Sequence, residues 1–219
     1  MFRMLFEKCG NAIWISHLDL MRLFQRAFRR AGLQLTHSQG FNPRPSVSIA
    51  LPLSVGIESE CEILDFALEG DPVAEEEICD RLNMVLTDGV RVRKVYSDGR
   101  KLRELVYLHS IVVLEYDNNT PEGAQAQILE LFRRPELIVP KKTKSGIQDQ
   151  DLIPMIRELT VYAEGENTVV IDVVGACQNP TLNPMQLSVA VKLHLPELTP
   201  SFAKCRRKEI LDGQMNVFR

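Results

Sequence analysis

Two histidines and five arginines crowd the stretch from His17 to Pro45, against a single acid, Asp19. An unperturbed imidazole titrates at about pH 6.5, so His17 and His37 are the groups best suited to acid–base work. Around a scissile phosphate one would act as base and the other as acid, with an arginine steadying the developing charge. That chemistry describes an RNA-processing nuclease, with His17 and the arginines as its minimum. A second chemistry needs no catalysis. Arg22, Arg26, Arg29 and Arg30 recur at three- and four-residue spacing, and Ser38, Gln39, Gly40, Phe41, Asn42 and Arg44 follow in a dense polar run. Arginines on one helix face would hold phosphates, and such a run would hold a ribose edge or a base. A third use is a protein–protein adaptor, with the arginine stripe docked on an acidic surface.

These residues need a helix and a shaped loop to position them. Ser16 is a good N-cap, and Asp19 three residues later completes a capping-box pattern that also suits the positive end of the helix dipole. Leu20, Leu23, Phe24, Ala27, Phe28 and Ala31 then recur as one apolar face. The four arginines fall on the other side, and Gly32 stops the helix. Like charges at this spacing repel, so an anion or a partner acid is expected beside them. Gly40, Asn42, Pro43 and Pro45 make the segment from Ser38 to Pro45 a turn-rich loop. Phe41 within it either stacks on a base or anchors the loop in the core, the core being the ordinary place for a lone aromatic.

Alternation and turn signals place the helix in a larger pattern. Strands are expected at Arg3–Lys8, Val47–Leu51, Cys61–Leu68 and Val90–Tyr96, with a second helix from Pro72 to Leu86. The order β-α-β-β-α-β is that of a ferredoxin-like unit. After a boundary near Asp98-Gly99 a similar order returns, with a strand at Leu105–Glu115, helices at Pro121–Phe132 and Asn183–Leu195, a hairpin around Gly165-Glu166-Asn167 and a last strand at Phe202–Leu211. The second half carries an inserted loop or extra strand, its basic part from Lys141 to Gln150 reading as loop. The expected fold is α+β, with two tandem ferredoxin-like halves built on antiparallel sheets, residues 1–98 and residues 103–219. If the arginine helix and the loop pack as such a unit requires, His17, the stripe and the loop converge on one face.

Composition narrows the classes further. The chain has 219 residues, 45% apolar and 25% charged, with a net charge of −3. No apolar run approaches the roughly 18 residues of a membrane span, and the charged N-terminal strand does not read as a signal peptide. A cytoplasmic protein with no membrane partner is expected. The five cysteines are scattered and none has C-x-x-C spacing. That argues against a disulfide framework and against a metal or iron–sulfur site in this chain. Phosphate-loop, dinucleotide, zinc-protease and nucleophile-elbow motifs are absent. His109 and His194 sit in apolar patterns and read as structural. Glu60 and Glu62 share a strand face that reads as solvated. Charge is uneven, with eleven acids against Arg81 between Glu58 and Asp88 and further basic groups at 91–103, 133–144 and 204–208. A net negative chain of this kind still has local fields that attract polyanions.

At S-H-L-D, R-A-F-R-R-A, S-Q-G-F-N-P-R-P and L-P-L-S-V-G-I-E-S-E, the chain resembles an uncharacterised bacterial family known as radical-SAM-linked proteins. These are fused behind a radical S-adenosylmethionine domain or encoded beside one. His17, Asp19, Ser38, Gln39, Gly40, Phe41, Asn42 and Pro43 match the family pattern, while His37 stands where the family has Tyr and Arg44 where it has His. The resemblance implies a partner protein that carries an iron–sulfur cluster and S-adenosylmethionine, with no cofactor in this chain. It supplies no reaction. Together with the basic helix, it makes a substrate-recognition partner that binds RNA the leading expectation, ahead of the nuclease and the adaptor.

Overall fold

Alternating burial along Phe2–Lys8 makes the first strand, β1, of a computed structural model that describes residues 1–143, 146–178 and 180–219. The chain divides into two units, residues 1–103 with Arg219 and residues 104–218. In the first, β1 is followed by α1 (His17–Arg30), β2 (Val47–Ala50), β3 (Ile57–Phe66), α2 (Glu75–Asn83) and β4 (Val90–Tyr96). β1 pairs antiparallel with β3 and with β4, and β2 pairs antiparallel with β3. The strands therefore run β4-β1-β3-β2.

The second unit carries β5 (Leu105–Glu115), α3 (Ala124–Phe132), β6 (Ile138–Thr143), β7 (Gly146–Asp151), β8 (Ile156–Ala163), β9 (Thr168–Ala176), α4 (Met185–His194) and β10 (Phe202–Asp212). Its sheet runs β10-β5-β9-β8, antiparallel at every step. β6 and β7 form a separate two-stranded hairpin. The described residues thus make a mixed α+β protein with largely antiparallel sheet and four α-helices. No helix among them is long and apolar enough to cross a membrane.

The inserted segment differs from its expectation. Lys141–Gln150 is expected as loop, yet β6 and β7 take in its described residues; residues 144 and 145 lie outside them. Gly146–Asp151 has no apolar alternation to announce a strand. Pairing with β6 supplies the backbone partners that the local sequence does not signal.

α1 forms where its cap and apolar spacing require. The Ser16 hydroxyl accepts from the Asp19 amide at 3.2 Å and donates to its carboxylate at 2.7 Å. Leu20, Phe24, Ala27 and Phe28 are buried, while Leu23 and Ala31 are half-buried. Phe24 meets Phe6 of β1 edge-on, with centroids 4.8 Å apart, and Phe28 tilts over Phe66 of β3 at the same distance. Burying such a ring stabilises the fold by about 2–3 kcal/mol. At the far end the Gly32 amide donates to Arg29 O and the Leu33 amide to Phe28 O, with Gly32 at φ +69°. That is the Schellman stop a glycine permits.

Three charged side chains, Arg3, Lys8 and Glu62, are buried in this unit. Lys8 is buried, and its ammonium donates to Ile13 O at 3.2 Å and Ile15 O at 2.9 Å. Burial pushes its pKa down, and the charge of Glu62 works the other way. Glu62 is itself fully buried, which corrects the solvated reading of the Glu60/Glu62 face. Glu62 shares the core face of Leu64 and Phe66, whereas a register shift between Glu62 and Ser59 interrupts the alternation at Glu60, which is exposed. On β1, Arg3 forks onto Asp65 at 2.6 and 3.0 Å and donates to Arg100 O at 2.6 Å.

Ser16→Ala is expected to cost about 1 kcal/mol in urea unfolding, the usual loss of an N-cap hydroxyl. Asp19 is held below the ordinary carboxylate value, first by the Ser16 hydroxyl and then by Arg22. Its stabilisation is therefore fully present above the unfolded pKa of about 3.9 and lost as pH falls through the lower folded value. Asp19→Asn should remove that part of the acid limb from a urea-midpoint profile against pH. Gly89 has φ +82°, and a Cβ there would lie 2.3 Å from Cys9 O. Gly89→Ala is expected to lower unfolding stability by about 2–3 kcal/mol.

Candidate functional site

With its apolar residues turned inward, α1 leaves Arg22, Arg26, Arg29 and Arg30 exposed. They are not equivalent. Arg22 donates to the Asp19 carboxylate at 2.9 Å, and Arg30 donates to Val85 O at 2.7 Å. Arg26 and Arg29 make no side-chain hydrogen bond or ion pair among the described residues. The acid expected beside the stripe is Asp19, on the same helix; it binds Arg22 and reaches Arg26 only through its field.

Past the Gly32 stop the chain is pinned along the end of β3. The Glu69 amide donates to Gln34 O at 2.8 Å, the Thr36 amide to Ala67 O at 2.9 Å, and the Ala67 amide to Ser46 O at 3.1 Å. Residues 36–46 then project as an arm. Its two sides are tied by Ser46 N to Thr36 O at 2.7 Å, Ser38 N to Arg44 O at 2.8 Å, and Arg44 N to the Ser38 hydroxyl at 3.0 Å. Ser38 and the Arg44 backbone therefore brace the arm, and the side chains of Gln39, Asn42 and Arg44 stay exposed. Gly40 has φ +140° at the tip. Phe41 next to it is fully exposed, so it does not anchor the loop in the core.

Between the last turns of α1 and the base of the arm lies a groove of about 350 Å³. Phe28, Leu33 and Leu35 border it from the buried core, and Gln25, Arg29, Gln34, His37 and Glu69 give its polar groups. These five side chains have no hydrogen-bond or ion-pair partner among the described residues. Gln25, Gln34 and Glu69 were not singled out by the sequence. Gln25 precedes Arg29 by one turn, which is a faint signal. Gln34 and Glu69 meet only through the backbone pairing after β3.

His17 is half-buried at the first position of α1, away from the groove. At 1.5 Å rise per residue, the helix sets it about 18 Å along the axis from Arg29. The expected convergence of His17 with the arm does not occur. His17 and His37 stand at opposite ends of the helix, so they cannot share one phosphate as base and acid. In the second unit His109 Nε2 lies 2.8 Å from the Asp172 carboxylate and His194 Nε2 2.9 Å from Ile138 O.

Among the described residues no group of three or more His, Cys, Asp or Glu side chains gathers to hold a metal. Burial pushes Cys177 up to about 11 and Cys205 up to about 12, so both thiols are unreactive in the folded chain.

Fold and surface together define an antiparallel α+β protein with an exposed basic helix beside a polar groove. The chain belongs to the family described as "Uncharacterized protein conserved in bacteria (DUF2344)", whose model matches residues 1–184. No curated protein matches it. Among solved structures it is similar to a chain of a Cbf5-Nop10-Gar1 complex, at 9% identity and a TM-score of 0.49, over 95% of this chain and 48% of that one. The chain thus spans about half the length of that relative. It is also similar to an unknown protein from Galdieria sulphuraria, at 10% identity and a TM-score of 0.27, over 94% of this chain and 96% of that one.

Cys177 and Cys205 should resist a thiol-labelling reagent at pH 8 in the native protein and react at once in urea. Fast labelling of either in the native state would contradict their burial.

Proposed function

We propose that this chain is the substrate-recognition partner of a radical S-adenosylmethionine enzyme and that it binds RNA through α1 and the arm at residues 36–46. In this reading both units are ferredoxin-like halves, the second carrying the β6–β7 hairpin as its insertion. One observation carries the RNA assignment. Arg26 and Arg29 face solvent with no partner among the described residues, beside a polar groove and an arm tipped by an exposed phenylalanine. Guanidinium groups bind phosphates in forked pairs, and an exposed ring stacks on an unpaired base. A phosphate strand along the helix would also relieve the repulsion among its arginines. The link to a radical enzyme rests on the sequence resemblance over residues 1–70. The cluster and S-adenosylmethionine would belong to that partner, and this chain would present the RNA.

Filter binding to bulk RNA across a salt series tests the assignment. For single strands, log affinity should fall with log salt by about 0.7 per phosphate contacted. Arg26→Ala/Arg29→Ala should weaken binding and flatten that slope by about 1.4. Arg22→Ala, whose guanidinium is held by Asp19, should do less. Unchanged binding in the double variant would reject the assignment.

A protein–protein adaptor is the second reading, favoured by an exposed apolar group. Trp14 is 64% exposed, Leu18 67% and Val55 52%, and the Trp14 ring borders Gly56. Exposed apolar residues gathered in this way commonly mark a protein contact. If it carries the contact with the radical enzyme, Leu18→Asp should abolish co-purification whether or not nuclease is added, and leave RNA binding unchanged. Co-purification that survives Leu18→Asp, or that nuclease removes, would set the adaptor reading aside.

A further inference from the structure

We infer that the groove beside α1 is a subsite for one unpaired nucleotide and that it selects guanosine, an inference that rests on the RNA reading above. At about 350 Å³ it falls at the small end of ligand pockets, which run from about 300 to 1,000 Å³. That is room for a single nucleotide and not for a duplex. Its charged groups are opposite in sign and unpaired with each other: Arg29 and Glu69 both line the groove, yet no ion pair joins them. Two such groups fit a ligand with an anion at one end and N–H donors at the other. A nucleotide has that layout, its phosphate suited to Arg29 and its base edge to Glu69.

Glu69 also discriminates among bases. An ionised carboxylate only accepts hydrogen bonds. Of the four bases, guanine alone has two adjacent N–H donors on its Watson–Crick edge, the ring N1–H and the 2-amino group. A carboxylate accepts both. Adenine and cytosine put a lone pair beside their amino group, and uracil flanks its one N–H with two carbonyls. Each would set a lone pair against the carboxylate of Glu69, the negative selection that makes an edge specific. Gln25 and Gln34 carry amide donors for the guanine O6 and N7.

Fluorescence anisotropy with labelled 11-mer oligouridylates tests this, each carrying one central guanosine, adenosine, cytidine, inosine or uridine. The guanosine strand is expected to bind about tenfold tighter than the adenosine, cytidine and uridine strands, the range of one good bidentate pair. Inosine, which lacks the 2-amino group, should fall between. Glu69→Gln should erase the guanosine preference, weakening guanosine and strengthening adenosine, cytidine and uridine until the strands bind alike. Arg29→Ala should weaken all strands by a common factor. Both residues are exposed, so the variants should keep the wild-type circular dichroism. Equal binding of all strands by the wild-type chain, or a guanosine preference that survives Glu69→Gln, overturns guanosine selection while RNA binding stands. No binding of any strand at low salt overturns the RNA reading and this inference with it.

Discussion

Two ring contacts hold α1 against its sheet, and the surface of the first unit follows from them. Phe24 meets Phe6 edge-on, and Phe28 lies over Phe66. A helix turns by about 100° per residue, so seating residues 24 and 28 leaves little choice for the rest. Arg22, Arg26, Arg29 and Arg30 must face away. The same packing sets the height of the helix, because Phe6 and Phe66 lie on neighbouring strands in fixed register.

Both ends of α1 are then fixed by backbone chemistry. At the start, the buried ammonium of Lys8 holds the carbonyls of Ile13 and Ile15, the last residue before the Ser16 cap. A buried lysine costs stability unless it is bonded; here it closes the short turn that leads into the helix. At the finish, the Gly32 stop turns the chain toward the end of β3. Three backbone pairings then set the base of the arm. The groove exists because helix end and arm base are each pinned independently, a few residues apart.

The electrostatics of the helix face are local. Asp19 and the Val85 carbonyl each take one arginine. Arg26 and Arg29, which have no partner among the described residues, fall in the half of the helix that borders the groove. A net charge of −3 for the whole chain says nothing of this, since screening at physiological salt confines such effects to about 8 Å. His109 pairs with Asp172 and His194 with a backbone carbonyl.

Much of this protein was legible in its residue order. The period of Leu20, Phe24, Ala27 and Phe28 determined the helix and its buried face. Ser16 and Gly32 determined its ends, because caps are local hydrogen-bond chemistry. The mixed α+β class followed from strand and helix periods. Other features needed the tertiary structure. Which arginines keep a free guanidinium depends on Val85, 55 residues from Arg30. That Glu62 is buried depends on its sharing a face with Leu64 and Phe66 against α1. That Phe41 is exposed depends on the bracing between Ser38 and Arg44. The hairpin at β6–β7 forms by pairing, with no apolar pattern of its own. The groove joins residues 25–37 to Glu69 through backbone bonds between segments more than thirty residues apart. Periodicity records which side of an element is buried; it holds no information on which distant chain arrives there, and that contact decides what the surface can bind.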